Sequence, residues 1–342
     1  ILCTNRDEFL DRPTEDAHFH AFGAALPPGA PPPVLAGRDL QAGGSWFGIN
    51  RAGRVALLTN ITEPAQKYTT SRGALVSAFL LATPPTHQSL EDELAALVPP
   101  DARFAGFNLL LFAPAPPASV STVENSAQTP ISYEALLVTN HGGGGALAAR
   151  PLRPDECACG GVSNGVDGAG DAPWPKVQHA TAALAEALAS TTTTTTSTSS
   201  SSTTSTTAPN PTPPNPTSPA TYTPTESALL HQLFALLAWH PPRAIAHRSE
   251  LRHTVHVLPV PIVLDGPGST HPRAAYYGTR LASALLVRRD GAVLFVERDV
   301  WGLGGEDGDG KGKPVLAEPP TERVFRFVLG GGLSASDICA SR

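Results

Sequence analysis

The sequence predicts an α+β layered domain broken by low-complexity inserts, and three observations carry that prediction. Short aliphatic and β-branched runs recur in pairs linked by turn chemistry, helical spacing appears in separate blocks, and one tract is built from Ser and Thr alone. Hairpins and segregated helical blocks favour antiparallel sheets over a parallel sheet with alternating helices. With 342 residues, 41% hydrophobic and 16% charged, the chain has enough apolar material for one large interrupted domain.

The elements follow in order. Ile1-Leu2-Cys3 is an apolar start, and Leu26–Val34 is a Pro-rich loop. Strands are expected at Trp46–Asn50 and Arg54–Thr59, joined through Asn50-Arg51-Ala52-Gly53, then at Phe107–Phe112 before a Pro/Ala turn, and at Ala135–Val138. Helical spacing marks Ser71–Ala82, where Leu75, Phe79 and Ala82 share a face, and Leu90–Val98. It returns at Trp174–Ala189, with Pro175 suited to a first turn, and at Ser227–Trp239, with Thr225 or Pro224 as its start. Strands close the chain at Leu281–Arg288 and Val293–Glu297, turned by Asp290-Gly291, and at Val324–Leu329. Gly142–Gly145 and Gly302–Lys313 lack the context of phosphate loops and read as flexible insertions. Every residue from Ser190 to Thr207 is Ser or Thr, too little apolar surface to offset ordering entropy. The expected organisation is a first domain part at 1–189, a disordered insert at 190–224, a second part at 225–330 and a flexible tail at 331–342.

Composition excludes several function classes. The 24 Lys+Arg against 30 Asp+Glu give a net charge of −6, and no basic cluster offers a nucleic-acid surface. No stretch of about 20 apolar residues suggests a transmembrane segment. Four scattered Cys do not make a disulfide framework, so a reducing compartment is expected. The chain contains no Met and begins at Ile1, which reads as a fragment lacking its first strand, so its start says nothing about targeting.

The densest polar cluster is Asn5-Arg6-Asp7-Glu8, followed by Arg12-Pro13. Arg6 offers a fork of donors for a carboxylate, and Asp7 and Glu8 can accept or titrate. These residues suit a solvated turn with an ion pair as well as they suit a recognition site. Cys157-Ala158-Cys159 has the wrong spacing for a zinc ribbon, and His18 and His20 would share a side only on a strand. Both pairs are expected as solvated loop residues. His247, His253 and His256 have no partner spacing for a metal or haem; no metal site and no cofactor are expected.

Beyond these, Asn5-Arg6-Asp7-Glu8-Phe9, Arg12-Pro13, Gly43-Gly44-Ser45-Trp46-Phe47-Gly48 and Leu57-Leu58-Thr59-Asn60 closely resemble the transport and Golgi organisation protein 2 family, also called the NRDE-domain family. Ser71-Arg72-Gly73, Phe107-Asn108-Leu109, Gly161-Val162-Ser163-Asn164, Pro173-Trp174-Pro175-Lys176 and Tyr277-Gly278-Thr279-Arg280 continue the resemblance in the same order. It implies a four-layer α-β-β-α sandwich of the N-terminal nucleophile hydrolase type, distantly similar to penicillin V acylase and bile-salt hydrolase. In those enzymes an N-terminal Cys attacks an amide carbonyl with its own amine as base. The family usually carries that Cys on a strand before this motif; Cys3 lies at the other end of its strand and is expected as a buried structural thiol. By resemblance, Arg6 and Asp7 would orient the nucleophile's amine, Asn60 and Asn164 would supply oxyanion donors, and Arg280 would close the site.

The resemblance implies a cytoplasmic protein, Golgi- or mitochondria-associated, acting in Golgi organisation and secretion, with haem or lipid handling as a molecular role. The alternative is a cysteine hydrolase of linear amides, and a third reading keeps the pocket as a small-molecule carrier. The partner expected in each case is a small-molecule ligand or substrate, with no nucleic acid.

Overall fold

The computed structural model describes residues 1–64, 66–83, 89–115, 130–168, 173–197, 222–243, 245, 247–264, 273–305, 312–330 and 339–341. Strand β1 (Leu2–Phe9) leads into β2 (Thr14–His20), β3 (Val34–Asp39), β4 (Phe47–Asn50) and β5 (Val55–Asn60). Helices α1 (Gly73–Leu81) and α2 (Leu90–Leu97) precede β6 (Phe107–Pro114), β7 (Tyr133–Thr139) and β8 (Ala148–Pro151). Next come α3 (Pro154–Cys159), α4 (Pro175–Ser197) and α5 (Pro224–Leu237). The chain closes through β9 (Val260–Leu264), β10 (Arg273–Val287), β11 (Ala292–Asp299), β12 (Trp301–Leu303), β13 (Pro314–Leu316), β14 (Glu322–Val328) and β15 (Cys339–Ser341).

Among the described residues, β2 to β8 form one seven-stranded sheet in chain order, and a six-stranded sheet runs β1-β10-β11-β14-β15 with β9 also on β10. Each pairing is antiparallel, as the hairpin chemistry requires.

Period-two alternation sets what packs against what. Val34, Ala36, Leu109 and Leu111 meet Val76 and Phe79 of α1 and Leu94 of α2. Leu35, Phe47, Ile49 and Leu57 point the other way, onto Leu285, Phe295 and Phe325 of the six-stranded sheet. There Phe47 stacks on Phe295 at 5.6 Å. On the far face, Ala284, Leu294 and Val296 meet Leu230 and Leu233 of α5, with Leu184 of α4 alongside.

Local signals explain the helix starts. Ser89 caps α2 by accepting from the Asp92 amide, and α5 opens with a Thr223/Glu226 capping box and Pro224 in its first turn.

Four sequence expectations meet different structure. Helix α4 continues through Ser197, so the first residues of the all-Ser/Thr tract are its last turns, and 198–221 lie outside the described residues. At the other end, Cys339–Ser341 pairs with Arg323–Phe325 within the expected tail, while 331–338 and 342 lie outside the described residues. His18 and His20 stand on β2 rather than in a loop, their rings 4.6 Å apart on one face as strand spacing dictates. Cys157 and Cys159 sit on α3, which starts with Pro154 in its first turn and the Arg153 amide donating to the Glu156 carboxylate at 2.8 Å.

Candidate active site

A cavity of about 790 Å³ lies along β1. Every residue from Ile1 to Glu8 lines it, although successive strand side chains point to opposite faces. The cavity therefore runs along the outer edge of β1, the edge strand of its sheet among the described residues. Leu57, Leu110 and Phe112 of the seven-stranded sheet form one wall, and Val177, Leu184 and Leu188 of α4 form the other. Its polar end gathers Arg6, Asp7, Asn60, Arg72, Asn164 and Lys176.

Arg6 is the central cation there. It is 6% exposed, its Nη1 donates to Thr14 Oγ1 at 2.8 Å, and its guanidinium lies 4.0 Å from the Trp46 ring centroid. Burial, and then the charge of Arg280, lower its pKa to about 10. Among the described residues it has no ion-pair partner, which leaves donors for an anion in the cavity. The Gly-Gly-Ser-Trp segment places Trp46 because Gly44 passes against the Gly73 backbone, too close for a Cβ.

Asp7, beside it, accepts the Thr279 hydroxyl at 2.6 Å. Burial pushes its carboxyl upward, opposed by the charge of Lys176 and by that hydrogen bond. Lys176 is 7% exposed, its Nζ 3.0 Å from Asn164 Oδ1, and burial lowers its pKa against the pull of Asp7. Asn164 is fixed from the other side: its Nδ2 donates to the Asn60 carbonyl at 2.8 Å, and the Thr62 amide donates to its own carbonyl at 2.9 Å. One of the two Asn164 amide hydrogens is thus held by backbone, whereas the exposed Asn60 side chain faces the cavity.

Four of the five residues singled out from sequence, Arg6, Asp7, Asn60 and Asn164, line this one cavity; Arg280 does not. Register explains its displacement. Arg6 pairs with Leu281 and Asp7 with Thr279, so Arg280 is the extra residue of a bulge. Its Nη1 donates to the Arg12 and Phe9 carbonyls and to Thr14 Oγ1, and it lines a separate hollow of about 330 Å³. Thr279, one position earlier, is the member of Tyr-Gly-Thr-Arg that reaches the site.

Trp46 and Lys176 also line the cavity, and their only signal in the sequence is a motif conspicuous for its aromatic and glycine or proline content. Cys3 lines the cavity among Ala180, Ala183 and Leu184, and burial holds its thiol up at about 11. Among the described residues no group of three or more His, Cys, Asp or Glu could hold a metal.

A family model described as Transport and Golgi organisation 2 matches residues 1–302. The chain belongs to that family. A Transport and Golgi organization protein 2 homolog of Bos taurus is 26% identical over 309 residues, covering 88% of this chain and 87% of its own. A Mus musculus homolog is 40% identical over 84 residues, 23% of this chain and 28% of the relative, and a Homo sapiens homolog is 38% identical over 84 residues with the same coverage. Within this transport and Golgi organisation chain, the matched region takes in the whole polar end of the cavity, from Arg6 to Thr279.

Proposed function

We propose that this chain serves Golgi organisation and protein secretion by binding an elongated amphipathic anion, of the lipid or haem-carboxylate kind, in the cavity along β1. One observation carries the reading: Arg6 is buried, stacked on Trp46, held by a single hydrogen bond and open to a long apolar corridor. A guanidinium so placed suits a carboxylate head, and Leu57, Leu110, Phe112 and Leu184 suit its tail. Decanoate titrated calorimetrically is the test. Arg6→Gln should weaken binding by about tenfold to a hundredfold, the loss of roughly 1.5–3 kcal/mol for a charged hydrogen bond. Equal binding by both proteins, or none by the unaltered one, overturns the reading. Among the described residues no helix is long and apolar enough to cross a membrane; we place the chain in the cytoplasm in contact with Golgi or mitochondria, to be checked by fractionation.

A second reading is a cysteine N-terminal nucleophile hydrolase of linear amides. The succession of helices, sheet, sheet and helices supports it, as do Arg6 and Asp7 beside Asn60 and Asn164. Cys3 does not supply the nucleophile, because burial keeps it a thiol. The reaction needs a Cys from outside this sequence, pairing along the outer edge of β1. Terminal-peptide mass spectrometry of the native protein decides it: a free N-terminal Cys supports hydrolysis, and any other terminus removes this mechanism.

A further inference from the structure

Lys176 is placed as few lysines are. Its ammonium would have three donors, yet among the described residues Nζ has one hydrogen bond, to Asn164 Oδ1 at 3.0 Å, and no ion pair. Asn164 cannot readily turn to offer more, because its Nδ2 is tied to the Asn60 carbonyl at 2.8 Å. Lys176 also sits in the first turn of α4, where the helix macrodipole disfavours a cation. The residue is 7% exposed and what remains open faces the cavity. Burial and the helix terminus favour the neutral amine, whose lone pair is a nucleophile, against the pull of Asp7 and of the Trp174 ring 5.6 Å from Nζ.

We propose that Lys176 is a nucleophilic amine that condenses with aldehydes entering the cavity, long apolar ones above all. The Nζ lone pair attacks the carbonyl carbon as the carbonyl oxygen takes up a proton, giving a carbinolamine. Loss of its hydroxyl as water leaves the imine, so amine plus aldehyde gives imine plus water and nothing is oxidised or reduced. Asp7, which lines the same polar end of the cavity as Lys176, is the donor to the departing hydroxyl once protonated. The apolar corridor selects the chain: Val177 and Leu184 continue from Lys176 along the same helix wall.

The inference uses the cavity of the anion-binding reading but does not depend on it, and the test separates the two. The protein is treated with propanal or decanal and sodium cyanoborohydride, which reduces an imine to a stable alkylamine, and labelled sites are read by peptide mass spectrometry. Lys176 should label roughly tenfold faster than the exposed Lys67 and Lys313, because a neutral amine at the mouth of an apolar corridor both attacks and collects the aldehyde. Labelling at Lys176 no faster than at Lys67 with either aldehyde overturns the inference, even if decanoate binds. Preferential labelling that excess decanoate fails to slow upholds it and counts against the anion-binding reading instead.

Discussion

Arg323 Nε donates to Glu297 Oε1 at 3.0 Å, and the same oxygen accepts the Ala17 amide of the facing sheet at 2.8 Å. Glu297 is 1% exposed and Arg323 6%, so the pair fastens β2 to β11 and β14 inside the protein. Removing one partner leaves a charge that burial already disfavours. Arg323→Met should therefore cost about 3–5 kcal/mol, and adding Glu297→Leu should recover only part of it, because Arg323 also holds Asp299 at 2.6 Å and Asp16 at 3.2 Å and the Ala17 amide loses its acceptor. With the carboxyl raised by burial, folding takes up a proton, so the single variant should lose stability as pH rises and regain some as it falls. Urea unfolding measures both; a single-variant cost below about 1 kcal/mol, the level of a surface pair, would reject the assignment.

Arg280 holds a corner rather than the cavity. Its Nη1 reaches the Arg12 and Phe9 carbonyls and shares Thr14 Oγ1 with Arg6. Arg280→Ala should destabilise by about 1–3 kcal/mol, since buried carbonyls lose their donor, and should reduce decanoate affinity far less than Arg6→Gln does. A loss of affinity equal to that of Arg6→Gln, at unchanged melting temperature, would put Arg280 back in the binding site.

Sequence carries some of this and hides the rest for physical reasons. Strands with apolar runs, such as Leu109–Ala113 in β6 and Ala292–Val296 in β11, are legible because both faces are buried. Strand β2 is not, because Thr14-Glu15-Asp16-Ala17-His18-Phe19-His20 alternates around half-buried polar side chains. Strand β9, with Pro261 inside it, reads as a breaker. At the site, Arg6 and Asp7 announce themselves by charge density. The bulge that turns Arg280 away and brings Thr279 in is a register event, and register depends on the partner strand rather than on local residues.

Gly44 tests how tightly that site is held. The Ser45 amide donates to the Gly73 carbonyl at 3.3 Å, and a Cβ on Gly44 would fall inside the van der Waals envelope of the Gly73 backbone. Gly44→Ala should push the start of α1 off Ser45 and destabilise by about 1–3 kcal/mol through overpacking, with weaker decanoate binding because Ser45 precedes Trp46, the platform of Arg6. Calorimetric unfolding and the same titration read both, and an unshifted melting temperature would contradict the close packing.

The Trp301 indole Nε1 donates to His256 Nε2 at 2.8 Å. An indole nitrogen only donates, so Nε2 must be an acceptor, and the imidazole is neutral with its proton on Nδ1, toward the Ala238 carbonyl. Burial and the neighbouring His240 lower the pKa of His256 below 6.5, with the Ala238 bond opposing them, and burial with His18 lowers His20 to about 4. In both cases the folded state binds the proton less readily than the unfolded chain. Their contribution is complete above about 6.5 and is lost as pH falls from there toward the folded-state values. The melting temperature should accordingly drop between about pH 7 and pH 5, with a change in Trp fluorescence as protonated Nε2 expels the indole. His256→Gln keeps the Trp301 bond, its amide oxygen accepting the indole N–H, but cannot titrate. That variant should show a shallower pH slope and lose the fluorescence step; a slope identical to that of the unaltered protein would mean His256 binds its proton equally well folded and unfolded, and would reject the assignment.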